Sequence, residues 1–299
     1  MTREGARSRA RTIGAFILVT LIWGSTWLVI KDQISEVPPS WSVTWRFVIA
    51  AIGMFALALV RGESLRLPRP AMQLAMVVGL FQFCANFQFV YRAEHYLTSG
   101  IVAVLFALLM VPNAVLSRIF LRHPVGPRFI AGSVVALAGI GLLLAHEYRM
   151  APPEGAVVLG IALTFAALFS ASTANVLQAT SLAKTQAVIP LIAWAMLWGT
   201  VGNVFFSWIV SGPPVLDPRP EYLAGVLYLA VMGSVVTFPL YFQLIRDWGA
   251  GRAAYNGVAV PVVAMSLSTL FEGYRWSALA AGGAVLAITG LLIALSGRK

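Results

Sequence analysis

Polar and aromatic side chains recur inside the apolar runs of this 299-residue sequence, where hydrocarbon gives them no partner. The stretch LIWGSTWLVI (21–30) places Trp23, Thr26 and Trp27 three and four residues apart, on one helical face that Ile30 continues. Gly24 and Ser25 leave room there for a neighbouring helix. Gln82 and Asn86 are four apart and share a face, with Gln88 and Tyr91 on the opposite side. Asn113 adjoins Pro112. Further runs carry Ser170, Ser172, Thr173 and Asn175, then Thr237, Tyr241 and Gln243, then Tyr255 and Asn256. Amides, hydroxyls and rings of this kind do non-covalent chemistry: hydrogen bonding, stacking, and attraction of ammonium groups to ring faces. Together they describe a polar-aromatic cavity suited to a neutral or zwitterionic molecule with an apolar side. Each residue taken singly is also accounted for by interhelical hydrogen bonding or packing.

What is missing narrows the chemistry further. No Asp or Glu lies in the middle of an apolar run. Glu36, Glu94, Glu147, Asp217 and Glu272 lie at the edges, as do His95, His123 and His146. The one cysteine, Cys84, reads as a small core residue. No convergent acid, base, nucleophile or metal set is present, and no glycine loop for a phosphate. An enzyme and an ATP-driven pump are therefore disfavoured, and no metal or cofactor is expected. Transport would be facilitated or would couple through the edge groups. Arg46 is the one basic residue well inside a run, about 8 Å beyond Trp41. It either snorkels outward to headgroups or pairs with a carbonyl or an acid and locks the outer side.

These residues must be positioned by membrane-spanning helices. Hydrophobic residues make up 59% and charged residues 11%, with mean hydropathy +0.84, against about 25% charged in soluble domains. The apolar runs are about 20 residues long and continuous, as helices require and barrel strands do not. The fold class is all-α polytopic, with ten spans near 12–31, 41–60, 71–92, 98–121, 127–146, 155–178, 186–210, 221–245, 250–271 and 275–296. The basic tail before the first span has no small-residue cleavage site after it, so that span is read as retained. With the tail in the cytoplasm, the cytoplasmic segments hold 15 Lys and Arg against 3 acids, and the outer segments 5 against 8. That bias places both termini inside and explains the net charge of +10 without nucleic acid.

Residues 100–144 and 249–293 align at a shift of 149, matching Gly100 with Gly249, Pro112 with Pro261, Leu121 with Leu270 and Gly141 with Gly290. The chain thus divides into repeats 1–148 and 149–299 of five spans each. An odd number of spans turns the second repeat upside down, the arrangement of alternating-access carriers with a site between the repeats. Pro112 and Pro261 are paired hinges or static kinks. The small-residue stripes Gly132, Ala136, Gly139 and Gly283, Ala287, Gly290 serve packing within a monomer or a dimer contact.

LIWGSTWLVIK followed by PPSWSVTWRFVIAA resembles the first two helices of the EamA-type exporters of the drug/metabolite transporter superfamily. RAEHYLTSGIVAVLFALLMVPNAVLSRIFL with RFIAGSVVALAGIGLLL resembles the end of that repeat, and residues 245–293 match it again. The resemblance covers nearly the whole chain. It implies a 5+5 inverted repeat and export of small metabolites from a bacterial inner membrane, most like the YddG-type amino-acid exporters. One departure is visible: the acid usual at the end of the fourth helix is replaced by Arg122 and His123, and occurs only as Glu272 in the second half. The competing readings are a multidrug or quaternary-ammonium carrier of the same fold and a channel.

Overall fold

A computed structural model describes residues 3–122, 124–150, 156–248 and 256–296. Inside a bilayer every backbone N–H and C=O must be satisfied within the protein, and the described residues meet this with helices alone. In chain order they are α1 (Arg3–Gln33), α2 (Pro39–Val60), α3 (Arg69–Ala93), α4 (Ser99–Phe120) and α5 (Pro127–Met150). There follow α6 (Val157–Gln178), a one-turn helix Ser181–Lys184, α7 (Val188–Ser211), α8 (Pro220–Trp248), α9 (Asn256–Phe271) and α10 (Ala278–Ser296). Eight of these, α1 to α8, contain a stretch long and apolar enough to cross a membrane; α9 and α10 are shorter apolar helices. The protein is a multi-pass membrane protein. α1 and α8 run beyond the expected spans, whereas the start of the expected ninth span, 250–255, lies outside the described residues.

Two helices are not regular. α3 contains a π-helical turn at Gly79–Ala85, and α8 one at Val231–Val236. Such turns are inserted residues in an α-helix, and they often mark functional sites. α4 is interrupted at Leu108 and Leu109, the residues four and three before Pro112. Pro112 has no N–H to give Leu108, and its ring crowds that carbonyl. The chain tightens instead, and Val111 N–H donates to the Leu108 carbonyl at 2.8 Å. Pro261 behaves differently, lying within the uninterrupted α9.

The packing follows pairs: α2 on α7, α4 on α9, α5 on α10, α1 on α8 and α9, and α6 on α3 and α4. α5 and α10 meet through their glycines. A methyl on Gly290 would stand 2.6 Å from the Gly132 carbonyl oxygen, and one on Gly139 2.6 Å from that of Gly283. The stripes expected from sequence are thus buried against each other within one chain, backbone against backbone. Gly24 has a similar role on α1, where a methyl would stand 2.5 Å from Val263 Cβ on α9. The ends of α1, α3, α7 and α9 meet the starts of α2, α4 and α8 on one side of the bundle. Ser42 donates to the Gln33 carbonyl, Ser40 bonds Ser211, and Ser99 bonds Glu272. We call this side the distal face, since it is opposite the start of α1.

Candidate functional site

α2 begins at a proline pair and runs inward with its hydroxyls in register against the second half. Ser40 and Thr44, four apart, bond Ser211 at 2.6 Å and Ser207 at 2.9 Å on α7. Ser42 bonds the Tyr222 hydroxyl on α8 at 2.9 Å. These bonds fix α2 axially, and the next inward position is Arg46. It does not snorkel. Its side chain is buried, 2% exposed, because α3 covers it on one side and the π turn of α8 on the other. Nη1 donates to the Tyr91 hydroxyl at 3.4 Å and Nη2 to Ser234 Oγ at 3.3 Å. The guanidinium carbon lies 4.5 Å from the centre of the Phe87 ring and 5.3 Å from that of Phe47. Among the described residues no carboxylate forms an ion pair with it. A cation therefore stands in the interior.

Rings lead away from Arg46 across the bundle. Tyr91, Phe87, Phe47, Phe83, Phe238 and Trp23 follow one another with centroid separations of 6.5, 4.8, 5.4, 5.5 and 5.7 Å. Trp23 ends the series against Tyr241 at 5.0 Å, and its indole N–H donates to the Gly233 carbonyl at 3.3 Å. A second pair, Trp27 and Phe106 at 5.1 Å, joins α1 to α4. Thr26 lies buried between the two tryptophans; its hydroxyl bonds the Trp23 carbonyl, and its methyl faces Gly233. Ser25 reaches the Tyr228 hydroxyl at 2.7 Å. So α1, α2, α3 and α8 converge on one polar-aromatic centre, with α4 at its border.

The residues expected from sequence divide between this centre and other places. Trp23, Thr26, Trp27, Tyr91 and Tyr241 are in or beside it. Gln82 and Asn86 are joined through the Gln82 carbonyl at 3.3 Å, and each keeps a buried side-chain oxygen without a bond. Thr237 is fully buried, and its hydroxyl is likewise unbonded. Asn113 and Asn175 bond each other at 3.4 Å, tying α4 to α6. Asn256 donates to Thr20 at 2.9 Å, tying α9 to α1. These last four make the interhelical bonds that single polar residues ordinarily make. Tyr255 lies outside the described residues. Of the other polar residues noted, Gln88 bonds Asn203 at 2.8 Å between α3 and α7. Phe87, Phe106, Tyr228, Ser234 and Phe238 went unnoticed in the sequence, although the position of Phe87 one residue after Asn86 could have signalled it.

A second ionisable group is buried at the distal face. Glu94, in the turn between α3 and α4, has no exposed surface, and neither carboxyl oxygen has a hydrogen-bond partner. Lys31 approaches but bonds the backbone carbonyls of Glu94 and Leu97, the latter at 3.1 Å. Burial holds the Glu94 carboxyl well above the usual carboxylate range, with Glu272 adding to the shift and Lys31 and Arg46 opposing it. Close by, Glu272 accepts from the Ser99 hydroxyl at 2.6 Å and the Ser99 N–H at 3.3 Å. An acid that sequence placed at an edge is in fact enclosed. A cavity of about 150 Å³ lies elsewhere, among α4, α9 and α10, beside Pro261. Its walls are aliphatic except for Ser266 and Trp276, so it offers little to recognise a polar molecule.

The model of the EamA-like transporter family matches residues 10–145 and again 158–296. Protein PagO of Salmonella typhimurium is 27% identical over 265 residues, covering 88% of this chain and 85% of its own. The uncharacterised inner membrane transporter YedA of Escherichia coli is 30% identical over 266 residues, covering 87% and 82%. A probable amino-acid metabolite efflux pump of the same organism is 25% identical over 295 residues, covering 95% and 94%. One solved crystal structure superposes with a TM-score of 0.71 at 20% identity over 97% of this chain and 98% of the other, a likeness of fold.

Proposed function

The chain belongs to the EamA-like transporter family, and from that premise we propose that it is a secondary transporter exporting small metabolites across a bacterial inner membrane. Amino acids with neutral or aromatic side chains are the first substrates to test. The observation that carries this reading is the buried polar-aromatic centre where α1, α2 and α3 of the first half meet α8 of the second. Lipid-facing helices have no use for such a cluster. The name of the similar efflux pump supports the substrate class and direction.

Alternating access is part of the proposal. The family model matches twice, supporting repeats over 1–148 and 149–299 with ten spans in all. Exchanging α1–α5 with α6–α10 leaves the helix pairings unchanged: α1 on α8 becomes α6 on α3, and α1 on α9 becomes α6 on α4. The π turns begin at Gly79 and Val231, in helices that such an exchange relates. The distal face is then the outside, both termini are cytoplasmic, and the bonds between halves at that face describe a state closed to the outside. In this reading the break in α4 before Pro112 is a hinge, and Pro261 is its partner in the second half. The glycine stripes are used inside the chain, which favours a monomer.

Reconstituted vesicles test this. Saturable uptake of labelled amino acids, accelerated by unlabelled substrate on the far side, is the expected result. A pore would show no such counterflow, and uptake of none of them would remove the substrate class. Uphill accumulation driven by unequal pH alone would overturn facilitated transport.

A further inference from the structure

Arg46 is a cation whose surroundings do not complete it. A guanidinium has five N–H donors and no acceptor. Here two of its nitrogens donate, to neutral hydroxyls at 3.4 and 3.3 Å, which is long for a charged donor. Nε has no partner at all. The rings of Phe87 and Phe47 stabilise the charge but accept none of its N–H groups. Cations at this depth ordinarily pair with an acid, because an unpaired one loses its hydration without replacement. Glu94 feels the charge of Arg46, but neither of its carboxyl oxygens bonds the guanidinium, and burial raises its pKa. Among the described residues the guanidinium thus has no anion bonded to it.

The backbone beside the guanidinium is also unusual. Residue 233 lies in the π turn of α8, and being glycine it has no side chain; a methyl there would stand 3.4 Å from Nη2 and 2.9 Å from the Thr26 methyl. Ser234, next in the turn, holds Nη2 on one side, while Tyr91 holds Nη1 on the other. A fork fixed in this way matches the two oxygens of a carboxylate. Beside it Phe87 and Phe47 supply an apolar wall for the rest of a small molecule. Among the described residues no carboxylate is bonded at this centre to receive an amine.

Resting on the transporter reading above, we propose that Arg46 anchors the carboxylate of the transported molecule, so that the chain selects small monocarboxylates with an apolar or aromatic body over their amides and over cationic amines. Binding completes the donor set of Arg46, while the substrate's apolar part lies on the rings. A purely structural arginine would hold α2 to α3 and α8 but would be indifferent to the substrate's carboxylate.

The experiment pairs each amino acid with its own carboxamide as competitors of counterflow in vesicles. The acid is expected to compete at least about tenfold better in the wild type, the discrimination a lost charge-assisted pair typically carries. In Arg46→Gln the two members of a pair should become equal within about twofold, and Arg46→Lys, which keeps the charge but not the fork, should fall between. Equal competition in the wild type, or an undiminished preference in Arg46→Gln, overturns the proposal. If Arg46→Gln does not fold, the wild-type ratio and Arg46→Lys decide. If no amino acid or amide is transported, the amino-acid reading fails separately. Thermal stabilisation of the purified protein by benzoate but not benzamide, reduced in Arg46→Lys, would still sustain the anchor; no difference between the two would refute it.

Discussion

The bond from Ser99 to Glu272 gives the proposed mechanism its sharpest quantitative test. Ser99 begins α4 in the first half, and Glu272 directly follows α9 in the second. The carboxylate takes the Ser99 hydroxyl at 2.6 Å and the Ser99 N–H at 3.3 Å, so it also sits at the positive end of α4. Ser99 is fully buried, whereas Glu272 is half-buried and partly screened. A hydrogen bond to a charged group contributes about 1.5 to 3 kcal/mol, and partial exposure argues for the lower end. Ser99→Ala should then destabilise the closed distal face by about 1.5 kcal/mol, roughly a tenfold shift toward an open state. Glu272→Gln keeps a weaker neutral bond and loses the helix-end charge, with a similar outcome. Spin labels on exposed Tyr96 and Arg275 would report the distance across this face in vesicles, beside counterflow rates. Asp217→Asn, which removes an exposed ion pair with Arg219 on the same face, serves as control and should leave the distances unchanged. Unaltered distances and rates in both Ser99→Ala and Glu272→Gln would show that this contact does not hold the face shut.

Three further outcomes follow from the same geometry. Burial raises the Glu94 carboxyl above its unfolded value of 4.5, so the folded chain keeps a proton that the unfolded chain releases, and stability falls as pH rises past that value; melting curves from about pH 5 to about pH 7 should show this decline. Lys31, Arg46 and Glu272 face the same group, and Glu94→Gln should flatten the pH dependence while leaving them in place. Gly290→Ala sets a methyl against the backbone of α5, 2.6 Å from the Gly132 oxygen, and should cost roughly 1 to 3 kcal/mol of stability or more, read as a lower melting temperature. Gly141→Ala, which meets open space, should melt as the wild type does. Trp27→Ala removes the ring packed 5.1 Å from Phe106 and should weaken competition by aromatic substrates by about tenfold relative to aliphatic ones.

Composition and the length of the apolar runs were enough to set the class of structure. Runs of about 20 apolar residues must be helices in lipid, because no other backbone satisfies its own hydrogen bonds there. Glycines at 132, 139, 283 and 290 announced close helix contact, and Trp23, Thr26 and Trp27 declared a shared face by their spacing alone. Local chemistry also marked Pro112 as a disturbance of α4. What the sequence left open was which face meets which neighbour. A polar residue on a helix is equally periodic whether it ties two helices together, as Asn256 and Thr20 do, or stands at a common centre, as Tyr91 does. The depth of Arg46 was legible, but its isolation depends on α3 and on a π turn in α8, more than 180 residues away. π turns leave no distinct period in so short a segment, and Glu94 becomes enclosed only when α1, α4 and α9 close over one turn. Those facts belong to the tertiary structure, because burial and charge pairing are set by elements distant in the chain rather than by the residue's own run.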